Sequence, residues 1–134
     1  MPVFYPPGGG SFPAAQQVLF KLSGANLQLT TDQAFTKVYT GSAYAVTAIY
    51  ARQRTGAASV TCAGGIYDTA SKGGNALVAA TQSWVTLASG VIVSATLASL
   101  TGTVLLSNTP ILSLTTGSTG ACTADVYIYG VDLT

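Results

Sequence analysis

From Gln17 onward the chain is a succession of short apolar or β-branched runs, each closed by Gly, Asn, Asp or Ser. One run begins about every 11 residues, the spacing of an all-β sandwich or barrel and too short for a helical bundle or a βαβ unit. Residues 18–22 lead through Ser23-Gly24 to 26–30, where Leu27 and Leu29 alternate with polar neighbours at period two. Further candidate strands cover 35–40, 44–54, 59–68, 76–80, 83–87, 91–97, 103–106, 111–115 and 122–129. Along 44–54, strict alternation puts Tyr44, Val46, Ala48, Tyr50, Arg52 and Arg54 on one face, with Ala45, Thr47, Ile49, Ala51 and Gln53 on the other. In 122–129 it separates Ala124, Val126 and Ile128 from Asp125, Tyr127 and Tyr129. Gly64-Gly65 inside its run predicts a bend or bulge, and 71–75 reads as a loop. The only rival to strand is 75–80, where Ala and Leu tolerate a helical turn.

Residues 1–16 differ in kind. They hold four of the five prolines and the run Gly8-Gly9-Gly10, which favours extended, polyproline-like backbone around a flexible joint. Phe4, Tyr5 and Phe12 ride on this charge-free segment and read as hydrophobic anchors. The organisation expected is an extended arm over 1–16 and an antiparallel, jelly-roll-like β-sandwich over 17–134.

Charged side chains make up 7% of the 134 residues and there is no histidine, against a usual charged share of about 25%. Without histidine, the triads, dyads and facial metal sites built on a neutral imidazole are excluded. A net charge of +1, with no basic cluster, lacks the footprint of nucleic-acid binding. The glycine-rich stretches at 8–10, 64–65 and 73–74 match neither phosphate-binding fingerprint, and no cofactor is expected. Closely spaced acids for calcium are missing. Cys62 and Cys122, 60 positions apart and without a CxxC, do not form a zinc motif; they read as small buried residues, with a bond between them left open. Asp32 and Asp125 are the acids considered for a catalytic pair, but Asp32 follows Thr30-Thr31 as in an Asx-turn, and no positioned acid–base pair is marked. The expectation is a non-enzymatic protein.

The start of the sequence has neither a basic n-region nor an apolar h-region, so a secretory signal is not expected. The stretch 85–114 is uncharged, but Ser, Thr or Gly interrupts it every few residues and Asn108-Thr109-Pro110 breaks it, which excludes a spanning helix. Aromatic girdles of a membrane barrel are not evident. Trp84 suits either a sugar-stacking platform or the core, and the core is favoured because the ring buries so much area. A surface so poor in charge is suited to being covered, with faces such as Tyr44/Tyr50 or Ile49/Ala51 packed between copies.

Three stretches carry a resemblance: 2–13, the glycine-rich run 59–68 with 72–78, and the ending 112–130. In these the chain resembles small virion structural proteins of tailed bacteriophages. The resemblance is one of overall style rather than of a diagnostic motif, and it runs over most of the chain. It implies a jelly-roll or sandwich fold, frequently trimeric, found in the virion as a capsid decoration or cement protein or as a fibre or tail part. The partners implied are the major capsid protein or other virion proteins and sister copies, in a chain made in the host cytoplasm, with no nucleic acid or membrane involved. Phe4, Tyr5, Pro6, Pro7 and Phe12 are the candidate docking residues; the alternative is an arm that folds back on its own domain. A tail or baseplate position, with receptor or glycan binding through loops 71–75 or 117–121, is the second expectation.

Overall fold

Alternation in the last strand, β10 (Cys122–Asp132), sets the frame of the larger sheet. Cys122, Ala124, Val126 and Ile128 are buried in the core, while Tyr127 and Tyr129 stand half-buried on the opposite face. In the computed structural model, which describes residues 16–56, 61–87, 91–98, 105–106 and 109–133, β10 lies between β1 (Gln17–Asn26) and β4 (Ala43–Gly56) and runs antiparallel to both. The short β3 (Thr36–Lys37) pairs with β1, and β7 (Ile92–Ser94) and β8 (Leu105–Leu106) pair with β4. The smaller sheet has the order β2 (Gln33–Ala34), β9 (Ile111–Thr116), β5 (Ala63–Thr69), β6 (Gly73–Val78), again antiparallel. The protein is therefore an all-β sandwich, and no helix occurs among the described residues. Its core joins Phe20, Ile49, Val126 and Ile128 of one sheet to Ile66, Leu77, Leu112 and Leu114 of the other. The first strand pairs with the last, and the second with the last but one.

Bulges correct the straight alternation read along 44–54. Tyr129 pairs with Ala48 but Gly130 pairs with Val46, so Thr47 is an extra residue in β4. An inserted residue reverses the phase of everything after it. Tyr44 and Val46 thus share the core face with Ile49 and Ala51, while Tyr50 and Arg52 are exposed. The two faces expected to pack between copies are accordingly replaced: Tyr44, Ile49 and Ala51 belong to the chain's own core, and of the four only Tyr50 is available. A similar slip at Leu19, between the pairs Val18–Tyr129 and Phe20–Ile128, lets the consecutive Leu19 and Phe20 both be buried.

Ser23-Gly24 is not a turn between strands. It lies within the continuous β1, where the register slips between Leu22 and Ala25. Gly24 adopts φ 65° there, and its N–H donates to Asp125 Oδ1 at 2.9 Å. That left-handed conformation is the one glycine adopts without steric penalty. Leu27 is buried as expected, but Leu29 lies past the strand and is exposed. The expected bulge at Gly64-Gly65 is present as a register slip between Ala63 and Gly64 against β9. Residues 83–87 form no strand: Ser83 makes a single bridge to Ala63, and Trp84 hangs into the core from a turn. The 71–75 loop is shorter than expected, because Gly73, Gly74 and Asn75 already belong to β6.

Phe20, Tyr39 and Tyr44 pack edge-to-face, with ring centroids 5.1–5.6 Å apart. Both tyrosine hydroxyls are buried without a hydrogen-bond partner among the described residues. Burial without a partner removes the benefit of the hydroxyl and leaves its desolvation penalty. Tyr44→Phe is therefore expected to be neutral or to stabilise by about 1 kcal/mol, measured as the urea midpoint. A loss of similar size would reveal an acceptor for the hydroxyl.

Candidate functional site

The outer face of the larger sheet concentrates the exposed aromatic surface. The bulge at Thr47 turns Tyr50 outward beside β10, where alternation has already placed Tyr127 and Tyr129. Tyr50 and Tyr129 meet edge-to-face at 5.6 Å, and Tyr127 tilts against Tyr129 at 6.4 Å. Ile92 on β7, 66% exposed, closes the far side. Together with Ala51 and Arg52 these residues line an open groove of about 300 Å³. Its walls are mainly apolar.

Charge also stands on this face beside the rings: Lys21 is paired with Tyr127, and Arg52, paired with Asp125 on one side and Ile92 on the other, lines the groove itself. Lys21 Nζ sits 5.7 Å from the centre of the Tyr127 ring, a cation–π contact at an exposed site. Asp125 receives the Gly24 N–H and lies between Arg54, at 3.6 Å, and Arg52, at 3.9 Å. Both arginine side chains are more than half exposed, so these pairs orient side chains more than they stabilise the fold. The two acids considered for catalysis lie in separate surroundings: Asp125 in this arginine cluster on the larger sheet, Asp32 beside the β5–β6 hairpin.

Asp32 Oδ2 accepts the Ser71 N–H at 2.7 Å. That bond, with contributions from Ser113 and Lys72, holds the exposed carboxyl below its usual range. Lys72 Nζ donates to Ser113 Oγ at 3.0 Å. Serine, lysine and aspartate in one cluster resemble an activated nucleophile, but Ser113 is completely buried and its hydroxyl is not presented to a substrate. The cluster fixes the hairpin, where Ser71 and Lys72 both have φ near +60°. Side chains with a Cβ adopt this conformation at an energetic penalty, so outside support is needed.

Other expected positions are engaged elsewhere. In the 71–75 loop, the Asn75 N–H and side-chain amide donate to Asp68 at 2.7 and 3.0 Å. In 117–121, the Ser118 N–H donates to the Leu27 carbonyl and its hydroxyl to the Gly120 carbonyl. The polar groups of both loops thus hold the sandwich together. Trp84 is buried, and its Nε1–H donates to the Gly64 carbonyl at 3.0 Å; it is core, not platform. Phe4, Tyr5, Pro6, Pro7 and Phe12 lie outside the described residues. Among the described residues no three potential metal-ligating side chains come together, and no helix is long and apolar enough to cross a membrane.

Cys62 and Cys122 are both buried and unbonded. Burial raises both thiols, Cys62 to about 11, and raises the Tyr44 and Tyr39 phenols. A group whose folded pKa is raised contributes stability that is complete below its unfolded value and lost as pH climbs toward the folded one. Stability is therefore expected to hold to about pH 8.5 and to fall between about pH 9 and 11, by up to ~1.4 kcal/mol per pH unit for each such group. Urea midpoints at pH 7, 9 and 11 measure this; a constant midpoint would contradict it.

Comparison with known proteins found no matching family model, no similar curated protein and no similar solved structure.

Proposed function

We propose that the chain is a non-enzymatic structural subunit of a bacteriophage virion, a capsid decoration protein that assembles as a homo-oligomer, most simply a trimer. The observation that carries the reading is the tyrosine face: Tyr50, Tyr127, Tyr129 and Ile92, with Arg52 among them, line one surface groove, and aromatic residues and arginine are the types enriched in protein interfaces. The winding is compatible with it: apart from the short β3 on β1 and β8 on β4, the larger sheet runs β1-β10-β4-β7 and the smaller β2-β9-β5-β6, and jelly rolls, an architecture of viral coat and lectin domains, likewise pair first strand with last. Fold alone does not carry function; the face and the arm give this fold its role. Phe4, Tyr5, Pro6, Pro7 and Phe12 dock the subunit to its neighbours on the particle, and repetition over a shell converts modest single contacts into avidity.

Cryo-microscopy of the purified particle tests this directly, with sandwich-sized density expected on the outer surface of the head. Full-length chain carrying Phe4→Ala, Tyr5→Ala and Phe12→Ala is expected to fold but to lose co-sedimentation with the particle; undiminished binding would contradict the arm's role. A second reading, tail or fibre protein with glycan binding, draws on the same groove, since tyrosine faces also stack on sugars. Density at the tail and a positive glycan array would favour it.

A further inference from the structure

We propose that the tyrosine groove is the receptor for the proline-rich arm of a second copy of this chain. The inference rests on the structural-subunit reading and names the partner of its exposed face. Aromatic-lined grooves bind polyproline segments because each proline ring packs flat against a phenol ring. The extended backbone has no internal hydrogen bonds, so its carbonyls are free to accept from groove donors. The groove offers Tyr50, Tyr127 and Tyr129 as packing rings and Ile92 as an apolar wall, with Arg52 among its lining residues. The arm offers Phe4-Tyr5-Pro6-Pro7, aromatic and apolar without a single charge, and so matches the mainly apolar, tyrosine-lined walls of the groove.

The length of the segment before Gln17 suits a second copy. β1 begins at Gln17 opposite Gly130, and its course from there runs past Tyr129 at Val18 and Tyr127 at Lys21. The groove thus lies along the forward direction of β1 from Gln17. At about 3.1 Å per residue, a fully extended segment spans at most roughly 30 Å over the positions from Pro7 to Gln17 and roughly 40 Å over those from Phe4. A folded chain of this length has a radius of gyration of about 14 Å. The anchors therefore reach the distance at which an adjacent copy sits. An arm given to one neighbour while the groove receives from another closes a ring when the rotation between copies permits.

The test places a photo-crosslinking benzoylphenylalanine at Phe4 in the full-length chain. The expected product is a covalent dimer whose crosslinked peptide contains Tyr50, Ile92 or Tyr129. Tyr50→Ala in the receiving copy is expected to reduce that dimer about tenfold, as loss of an aromatic anchor does. Because Tyr50 also packs edge-to-face on Tyr129, the variant's thermal transition is recorded to confirm that it folds, and crosslinking of the parent stands independently of it. Crosslinks confined within one chain, or dimers joined outside the groove, would overturn the proposal. Sedimentation of the same sample separates the two levels: an oligomer that persists without groove crosslinks overturns arm exchange alone, while a monomer overturns the subunit reading as well.

Discussion

Gly130→Ala is expected to destabilise the sandwich by about 3 kcal/mol or more, at the upper end of overpacking effects. A Cβ at this position would lie 2.0 Å from the Ala45 carbonyl oxygen and 2.7 Å from Leu19 Cδ1. The first of these atoms is backbone in the adjacent strand, so relief requires β4 and β10 to separate where the bulge at Thr47 joins them. That bulge also sets which side of β4 faces outward. The substitution is therefore expected to perturb the Tyr50–Tyr129 contact as well as the stability, seen as a change in near-ultraviolet circular dichroism alongside a lower urea midpoint. Gly120 provides the control, because a Cβ there meets nothing within 4 Å; Gly120→Ala should leave both readouts unchanged. Equal effects at the two positions would show that steric overlap is not the cause.

Trp84→Ala is expected to remove about 3–5 kcal/mol, the range for truncating a large buried aromatic. The side chain is 1% exposed, so the cavity left behind is internal and apolar and can be refilled only by collapse of its walls. The indole also donates to the Gly64 carbonyl, and its loss leaves that buried acceptor without this donor. Trp84→Phe restores most of the volume but not the donor and should recover more than half of the loss. Single domains have about 5–15 kcal/mol in total. The alanine variant is thus expected to be largely unfolded at 37 °C, measured by the far-ultraviolet thermal transition; a midpoint within a few degrees of the parent would contradict the placement of Trp84.

The sandwich was legible because alternation and turn residues act locally. In β10 the inward Ala124, Val126 and Ile128 are read directly from period two, since no bulge intervenes among them. The same rule misassigns Tyr44 and Val46, because the bulge that inverts β4 depends on Gly130 in a strand more than 80 positions away. Ser23-Gly24 reads as a turn for a comparable reason: a left-handed glycine serves a hairpin or a bulge equally well, and the choice is made by Asp125 accepting its N–H. Trp84 was assignable to the core from its size alone.

The site was half legible. Alternation groups Tyr127 and Tyr129 on one face, opposite Ala124, Val126 and Ile128, and the scarcity of charge implies a covered surface. Tyr50 and Ile92 could not be joined to them from sequence, because the groove exists only once β4 and β7 are paired at Tyr50–Ser94 and Arg52–Ile92. The one available signal is the clustering of four tyrosines, Tyr44, Tyr50, Tyr127 and Tyr129, in the two strand-like runs 44–54 and 122–129.

The central claim is that this weakly charged body is built to be covered by its own copies. Sedimentation velocity of the full-length chain at micromolar concentration and physiological salt measures it most directly. The account predicts one discrete oligomer, most simply a trimer, that persists on dilution through this range. A single species at the 13.5 kDa of one chain would contradict it.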